Sequence, residues 1–143
     1  MITSLENFQQ DREKLGFKVI GLSYRFRNQL KKMLIGDRVI YYIKKIHKFG
    51  AITTITGEYF EDYSKLWLDD VEIRPVRRHS IPNIILNDNE LIDIKTLLNN
   101  LRFIKKKDIW GTYVQGSIKI IQEEDFEFIE YEMKKVISNK PNM

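Results

Sequence analysis

Between Gly36 and Phe60 the chain carries its densest apolar pattern. In Arg38-Val-Ile-Tyr-Tyr-Ile-Lys44, β-branched and aromatic residues fill both parities, so neither face of a strand suits water and a central strand is predicted. Lys44 to Lys48 reads as a charged loop. Phe49 to Thr56 reads as the returning strand, ended by Gly57 ahead of Glu58-Tyr-Phe60. Ile52 and Ile55 fall on opposite parities, which suggests a bulge or a strand bent around a barrel corner.

The flanking pattern predicts short strands and amphipathic helices. Met1-Ile-Thr3 reads as an opening strand, and Ser4 as the cap of a helix from Leu5 to about Leu15, stopped by Gly16. Phe17 to Ile20 is extended. Ser23 then caps a second helix whose apolar positions Phe26, Leu30, Met33 and Leu34 follow helical spacing, with Tyr24, Arg25, Arg27, Asn28, Lys31 and Lys32 on the other face. Further on, Val71-Glu-Ile-Arg-Pro75 alternates as a half-exposed strand should, and Ile81 to Leu86 is an apolar extended piece cut by Pro82. Asp93 caps a helix bearing Ile94, Leu97, Leu98 and Leu101. The last helix, about Gln122 to Ile137, buries Phe126, Ile129, Met133 and Val136. Its Glu123-Glu-Asp125 opening and Lys134-Lys135 close suit the helix dipole.

Size changes this picture little: 143 residues bound a single domain, read as residues 1–137 with a tail at 138–143. The longest apolar run, Val39 to Ile43, is far too short to span a bilayer. Acidic Glu6 and Asp11 stand where a signal peptide needs apolar residues, so a cytoplasmic protein with no membrane partner is expected. The absence of cysteine excludes disulfides and thiolate chemistry.

Charge changes it more. From Phe17 to Gly50, nine Lys or Arg stand against one acid, a local charge of +8, and the remainder carries −4. That asymmetry fits a polyanion binder and fits equally a solvated lysine-rich face. On the second helix, Arg25 and Arg27 are candidate phosphate contacts beside the stacking ring of Tyr24. Lys105, Lys106 and Lys107 form a second basic run, followed by Trp110 and Tyr113. Basic residues interleaved with aromatics suit unpaired or flipped bases, although a lone tryptophan is more often a packing residue.

Catalytic chemistry is thinly provided. His47 and His79 lack metal-ligand spacing and read as exposed loop residues. No glycine-rich phosphate loop or nucleophile elbow occurs, and no catalytic residue, metal ligand or cofactor is assigned. A binding module is the expectation.

Several segments, taken in order, resemble the EVE domain family of the PUA-like superfamily, which also contains YTH and ASCH domains. They are Ile2-Thr3-Ser4, Glu6-Asn7-Phe8, Val19-Ile20-Gly21-Leu22-Ser23, Gly36-Asp37-Arg38-Val39-Ile40-Tyr41-Tyr42, Phe49-Gly50-Ala51 through Glu58-Tyr59-Phe60-Glu61-Asp62, Phe103-Ile104-Lys105 through Trp110, Gly116, and Glu123-Glu124-Asp125-Phe126. The resemblance implies an α+β fold, a closed or nearly closed, mostly antiparallel β-barrel with flanking helices. It also implies a base pocket where the opening strand ends at Ser4 and where Gly21-Leu22-Ser23 enters the second helix, with Gly116 and Ser117 on the rim. Ile20 stands where the family usually carries tryptophan, Ser4 where Asn or Asp is common, and Gln122 where proline is usual. The resulting expectation is a non-enzymatic module that binds DNA or RNA and receives a modified base among Ser4, Ile20, Gly21, Leu22, Ser23, Tyr24, Trp110, Gly116 and Ser117. Arg25, Arg27 and Lys105 to Lys107 would hold phosphates. The alternatives are a pocket for a free nucleotide or other small ligand, and a specificity module whose protein partner is a nuclease or modification enzyme.

Overall fold

Six strands share one mixed sheet in the computed structural model, which describes residues 1–67 and 73–139. They are β1 (Ile2–Thr3), β2 (Val19–Leu22), β3 (Arg38–Ile43), β4 (Lys48–Glu61), β5 (Val76–Ile85) and β6 (Ile92–Asp93). The hydrogen-bonded order is β1-β3-β4-β5-β2, with β6 on β4. The α-helices are α1 (Leu5–Gln10), α2 (Arg27–Lys32) and α3 (Glu123–Ser138). The chain divides into two compact units, one of Met1–Thr3, Ile40–Ala51 and Ile84–Met143, the other of Ser4–Val39 and Ile52–Asn83.

In the first unit, β1 lies parallel to β3, Ile2 opposite Tyr42 and Thr3 opposite Ile43. Ile40, Tyr41, Tyr42 and Ile43 are all buried, as two apolar parities require of a strand covered on both faces. β6 pairs antiparallel with β4, Phe49 opposite Ile92. The helix expected after Asp93 is two 3-10 turns, Ile94–Thr96 and Leu98–Asn100, with the Asp93 carboxylate accepting from the Lys95 N–H at 2.9 Å. Ile94 and Leu97 are buried all the same, because a turn repeating every three residues brings them to one side, and Leu101, the extended residue that ends the second turn, is buried as well. α3 buries Ile129 and Met133, while Phe126 and Val136 are half-buried. It also buries Asp125, whose carboxylate accepts the backbone N–H groups of Arg102 and Phe103 at 2.8 Å each. Part of the acidic opening therefore anchors a distant loop, beyond any service to the helix dipole.

In the second unit, the Ser4 hydroxyl caps α1 by accepting from the Asn7 N–H at 3.1 Å, and the helix continues as a π-helical segment, Asp11–Leu15, until Gly16 closes it at φ 62°. β2 runs antiparallel to β5, Val19 opposite His79 and Leu22 opposite Val76. The second helix is shorter than its apolar spacing suggests. It begins as a 3-10 turn, Tyr24–Phe26, without a side-chain cap from Ser23, and ends at Lys32, leaving Leu34 69% exposed. The buried member of that spacing is Leu30.

Three other expectations change. Gly57 does not end β4, which continues to Glu61; a Cβ there would approach the His79 Cβ to 3.1 Å, so glycine permits close passage of a neighbour. β5 begins at Val76 and runs through Pro82 to Ile85, placing His79 in a strand. Ser80 donates its N–H to Lys18 O at 2.9 Å, so by two-residue alternation position 82 faces the same side, beyond the end of the β2 pairing, where no ladder bond is lost. Residues 71 and 72 of the strand expected at Val71 to Pro75 lie outside the described residues, and 73–75 precede β5 as irregular chain; residues 140–143 of the expected tail also lie outside.

Candidate nucleic-acid interface

The turn from β2 into α2 carries most of the sequence-predicted base-pocket residues of the second unit. Ile20 and Leu22 are buried core side chains, and Gly21 lies under an indole: a Cβ on Gly21 would sit 2.3 Å from Cη2 of Trp67. Only glycine allows that approach. Trp67 is itself buried, donates Nε1–H to the Asp11 carboxylate at 3.2 Å, and has the Arg74 and Arg77 guanidinium carbons 5.7 and 5.6 Å from its ring. The β2 backbone is therefore covered by this chain's own tryptophan, which the sequence reading did not connect with it.

Ser23 and Tyr24 stand outside that cover. Tyr24 is 48% exposed, and Arg27, three residues on, lays its guanidinium 4.4 Å from the Tyr24 ring centroid while Nη1 donates to Tyr24 O at 3.3 Å. Arg25 lies 4.8 Å from the Phe26 ring in the same way. Guanidinium on an aromatic face is attractive through the ring quadrupole and holds the cation at the surface without neutralising it.

The end of α2 is fixed by Arg78. This arginine is 1% exposed, and its guanidinium donates to Leu30 O at 2.9 Å, to Met33 O, and to Gly57 O at 2.7 Å. A buried cation on the last carbonyls of a helix satisfies acceptors that the helix itself leaves open. Arg77 is also buried. It donates to Arg74 O at 3.1 Å, to the Ser64 hydroxyl at 3.1 Å and to Ser64 O, and it pairs with Asp62 at 3.4 Å. Burial lowers its pKa, with Asp62 opposing.

Beyond α2, the end of β4 contributes aromatics that sequence reasoning missed. The Tyr59 hydroxyl donates to Glu61 Oε2 at 2.8 Å, the Tyr63 hydroxyl to Glu61 Oε1 at 3.3 Å, and Lys31 of α2 places its ammonium 5.0 Å from the Tyr59 ring. Burial, and then the hydrogen bond to Glu61, pushes the Tyr59 phenol up to about 12. The Tyr63 phenol is raised by burial and by the Glu61 charge. Two phenols therefore gather on one carboxylate. The available signal was the alternation Tyr59, Glu61, Tyr63, which places the three on one side of an extended chain.

In the first unit, Trp110 is half-buried with its ring edge-on to His47, centroids 5.0 Å apart. The Tyr42 hydroxyl lies 3.0 Å from His47 Nδ1, so His47 is a half-buried, partnered loop residue. Burial, and then Asp93, pushes the Tyr42 phenol up to about 12. Lys107 is not an outward cation: its ammonium donates to Leu101 O at 2.6 Å and Ile104 O at 2.5 Å. Lys105 and Lys106 are exposed. Gly116 is exposed at φ 96°, and Ser117 O accepts the Ile2 N–H at 2.8 Å. Among the described residues no cluster of His, Asp and Glu could hold a metal ion, and no helix is long and apolar enough to cross a membrane.

A mixed sheet with flanking helices defines an α+β domain. Within that class the chain belongs to the EVE domain family, whose sequence profile matches residues 2–132. A UPF0310 protein of Pyrococcus abyssi is 28% identical over 140 residues, covering 90% of this chain and 94% of the relative. Among solved structures, the YTH domain of the Zygosaccharomyces rouxii MRB1 protein, in complex with N6-methyladenosine RNA, is similar with a TM-score of 0.65 at 11% identity, covering 92% of this chain and 83% of that one. Rpa0253 from Rhodopseudomonas palustris is similar with a TM-score of 0.60 at 14% identity, covering 99% and 94%. At these identities the structural likeness is one of fold.

Proposed function

We propose that this chain is a non-enzymatic nucleic-acid-binding module that receives a modified base at the turn from β2 into α2, with Arg25 and Arg27 on the adjoining phosphates. The observation that carries this reading is the half-exposed Tyr24 ring backed by the Arg27 guanidinium. A ring gives a base a stacking surface, and a delocalised cation beside it gives the backbone a counter-charge. Because Ile20 and Leu22 are buried and Trp67 covers Gly21, the base is received at Ser23 and Tyr24 and not on the β2 backbone. The fold shared with a YTH domain solved on N6-methyladenosine RNA supports a methylated base as the first ligand to try.

The test is equilibrium binding of matched methylated and unmethylated oligonucleotides, DNA and RNA, at low and moderate salt. Tighter binding of the methylated strand, with affinity falling as salt rises, is expected. Equal affinity for both would remove the modified base from the proposal, and binding of mononucleotides as tight as that of strands would favour a small-ligand pocket.

A further inference from the structure

We propose that Tyr59 and Tyr63 extend the stacking surface of Tyr24 into a strip for the unpaired nucleotides that flank the recognised base, so that the ligand is a single strand and not a duplex. This inference rests on the reading of the chain as a nucleic-acid binder. Each ring belongs to the second unit, and contacts join them: the Tyr59 and Tyr63 hydroxyls both donate to Glu61, while Arg27 and Lys31, one turn apart on α2, lie over the Tyr24 ring at 4.4 Å and the Tyr59 ring at 5.0 Å. Tyr63 is 60% exposed and Tyr24 nearly half, which leaves aromatic surface in water that ordinary packing would have covered. The Tyr59 and Tyr63 phenol heads are tied to one carboxylate and the Tyr24 ring is backed by Arg27, so the rings are ordered before a ligand arrives and less side-chain entropy is lost on stacking.

The charges divide the labour. Glu61, in the middle of the phenols, would repel a phosphodiester placed there, so the strip suits base faces and not backbone. Asp62, the next acid, is paired with Arg77. Lys31 lies over the Tyr59 ring and Arg27 over the Tyr24 ring, and exposed Arg25 and Lys32 stand on the same stretch of chain, the cations that a strand's phosphates need once its bases lie over the rings. In a duplex the base faces are stacked on one another and hidden from side chains, so a strip of rings has nothing to grip there.

Short oligothymidylate and oligouridylate, a duplex of the same length and a methylated strand are the probes, titrated against the full chain and its Tyr63→Ala, Tyr63→Phe and Tyr24→Ala variants. Thermal melting confirms that each variant is folded. The parent is expected to prefer single strands over duplex, and each alanine variant to lose about fivefold or more in affinity for every single strand. The preference for a methylated over an unmethylated strand should be unaltered in Tyr63→Ala. Tyr63→Phe keeps the ring and loses the bond to Glu61; retained affinity in it assigns the effect to stacking, and a loss equal to that of Tyr63→Ala overturns the strip. Unchanged affinity in folded Tyr63→Ala, or equal binding of duplex, overturns the inference while leaving the module a binder, whereas unchanged affinity in folded Tyr24→Ala overturns the base site itself. Absence of binding by the parent to any strand overturns both. DNA and RNA arms that differ identify which strand the rings serve.

Discussion

In the second unit the basic helix α2 ends on a buried cation, whereas in the first unit the basic run Lys105 to Lys107 follows a backbone turn held by a buried anion. Arg78 donates to the last carbonyls of α2, and Asp125 accepts from the backbone N–H groups of Arg102 and Phe103. Each device matches the backbone groups left over locally: carbonyls at a helix end, N–H groups in a turn. The outcome for the surface charges differs. On α2, Arg27 and Lys31 lie over tyrosine rings and keep their charge at the surface, and Arg25 does so over Phe26. In the other segment Lys107 turns back onto two carbonyls of its own loop. Two lysine- and arginine-rich stretches that look alike as sequence therefore offer a ligand different things.

Removing the buried clamps should produce the largest effects and should do so unequally. Arg78→Met fills similar space but strips three carbonyls of a charged donor, and a loss of about 3 kcal/mol or more is expected. Chemical denaturation measures it. Hydrogen exchange should show the amides of α2 opening first, and uniform loss across the chain would argue against a local clamp. Asp125→Ala leaves two backbone N–H groups without their carboxylate, and about 2 kcal/mol is expected from the same measurement. Asp125→Asn keeps one acceptor and should recover part of it. If Asp125→Ala proved the more damaging, the contrast drawn between cation and anion would reverse.

Why these clamps escaped the sequence reading is a matter of distance along the chain. β3 was legible because Val39 to Ile43 are apolar on both parities, a property visible in one short window. β5 was not, because its first half carries two adjacent arginines and Pro82 read as a cut, while the carbonyls that make burial of Arg78 tolerable belong to Leu30, Met33 and Gly57. Helical spacing overstated α2 for the opposite reason. Leu34 continues the periodicity, yet the chain turns extended at Met33, where φ is −68° and ψ 138°. At the candidate site, Tyr24 with Arg25 and Arg27 could be read because they occupy one turn. Tyr59 could not, since its cation, Lys31, comes from another element, and neither could Trp67 over Gly21.

The difference between the two basic segments can be sharpened by salt. If Arg25 and Arg27 each face a phosphate, reversing both to Glu should reduce the slope of log affinity against log salt by about 1.5 or more. Lys107→Gln should leave that slope unchanged, because its ammonium is already engaged by Leu101 O and Ile104 O. A slope that fell with Lys107→Gln and held with the arginine reversals would exchange the roles of the two segments.

The smallest effect compares two tyrosines. Tyr42 in the first unit and Tyr59 in the second are both pushed up to about 12, foremost by burial, with Asp93 assisting at Tyr42 and Glu61 at Tyr59. An unfolded tyrosine titrates near 10, so between about pH 10 and 12 the folded chain retains protons that the unfolded chain has lost. Stability from these groups is therefore fully present below pH 10 and declines as pH rises through that window. Tyr42→Phe and Tyr59→Phe should each flatten the decline, read as the denaturation midpoint against pH. Tyr42 is the more enclosed, so its substitution should flatten more, whereas Tyr59 sits beside water that screens Glu61. Equal flattening would mean that the carboxylate partner, and not enclosure, sets both shifts.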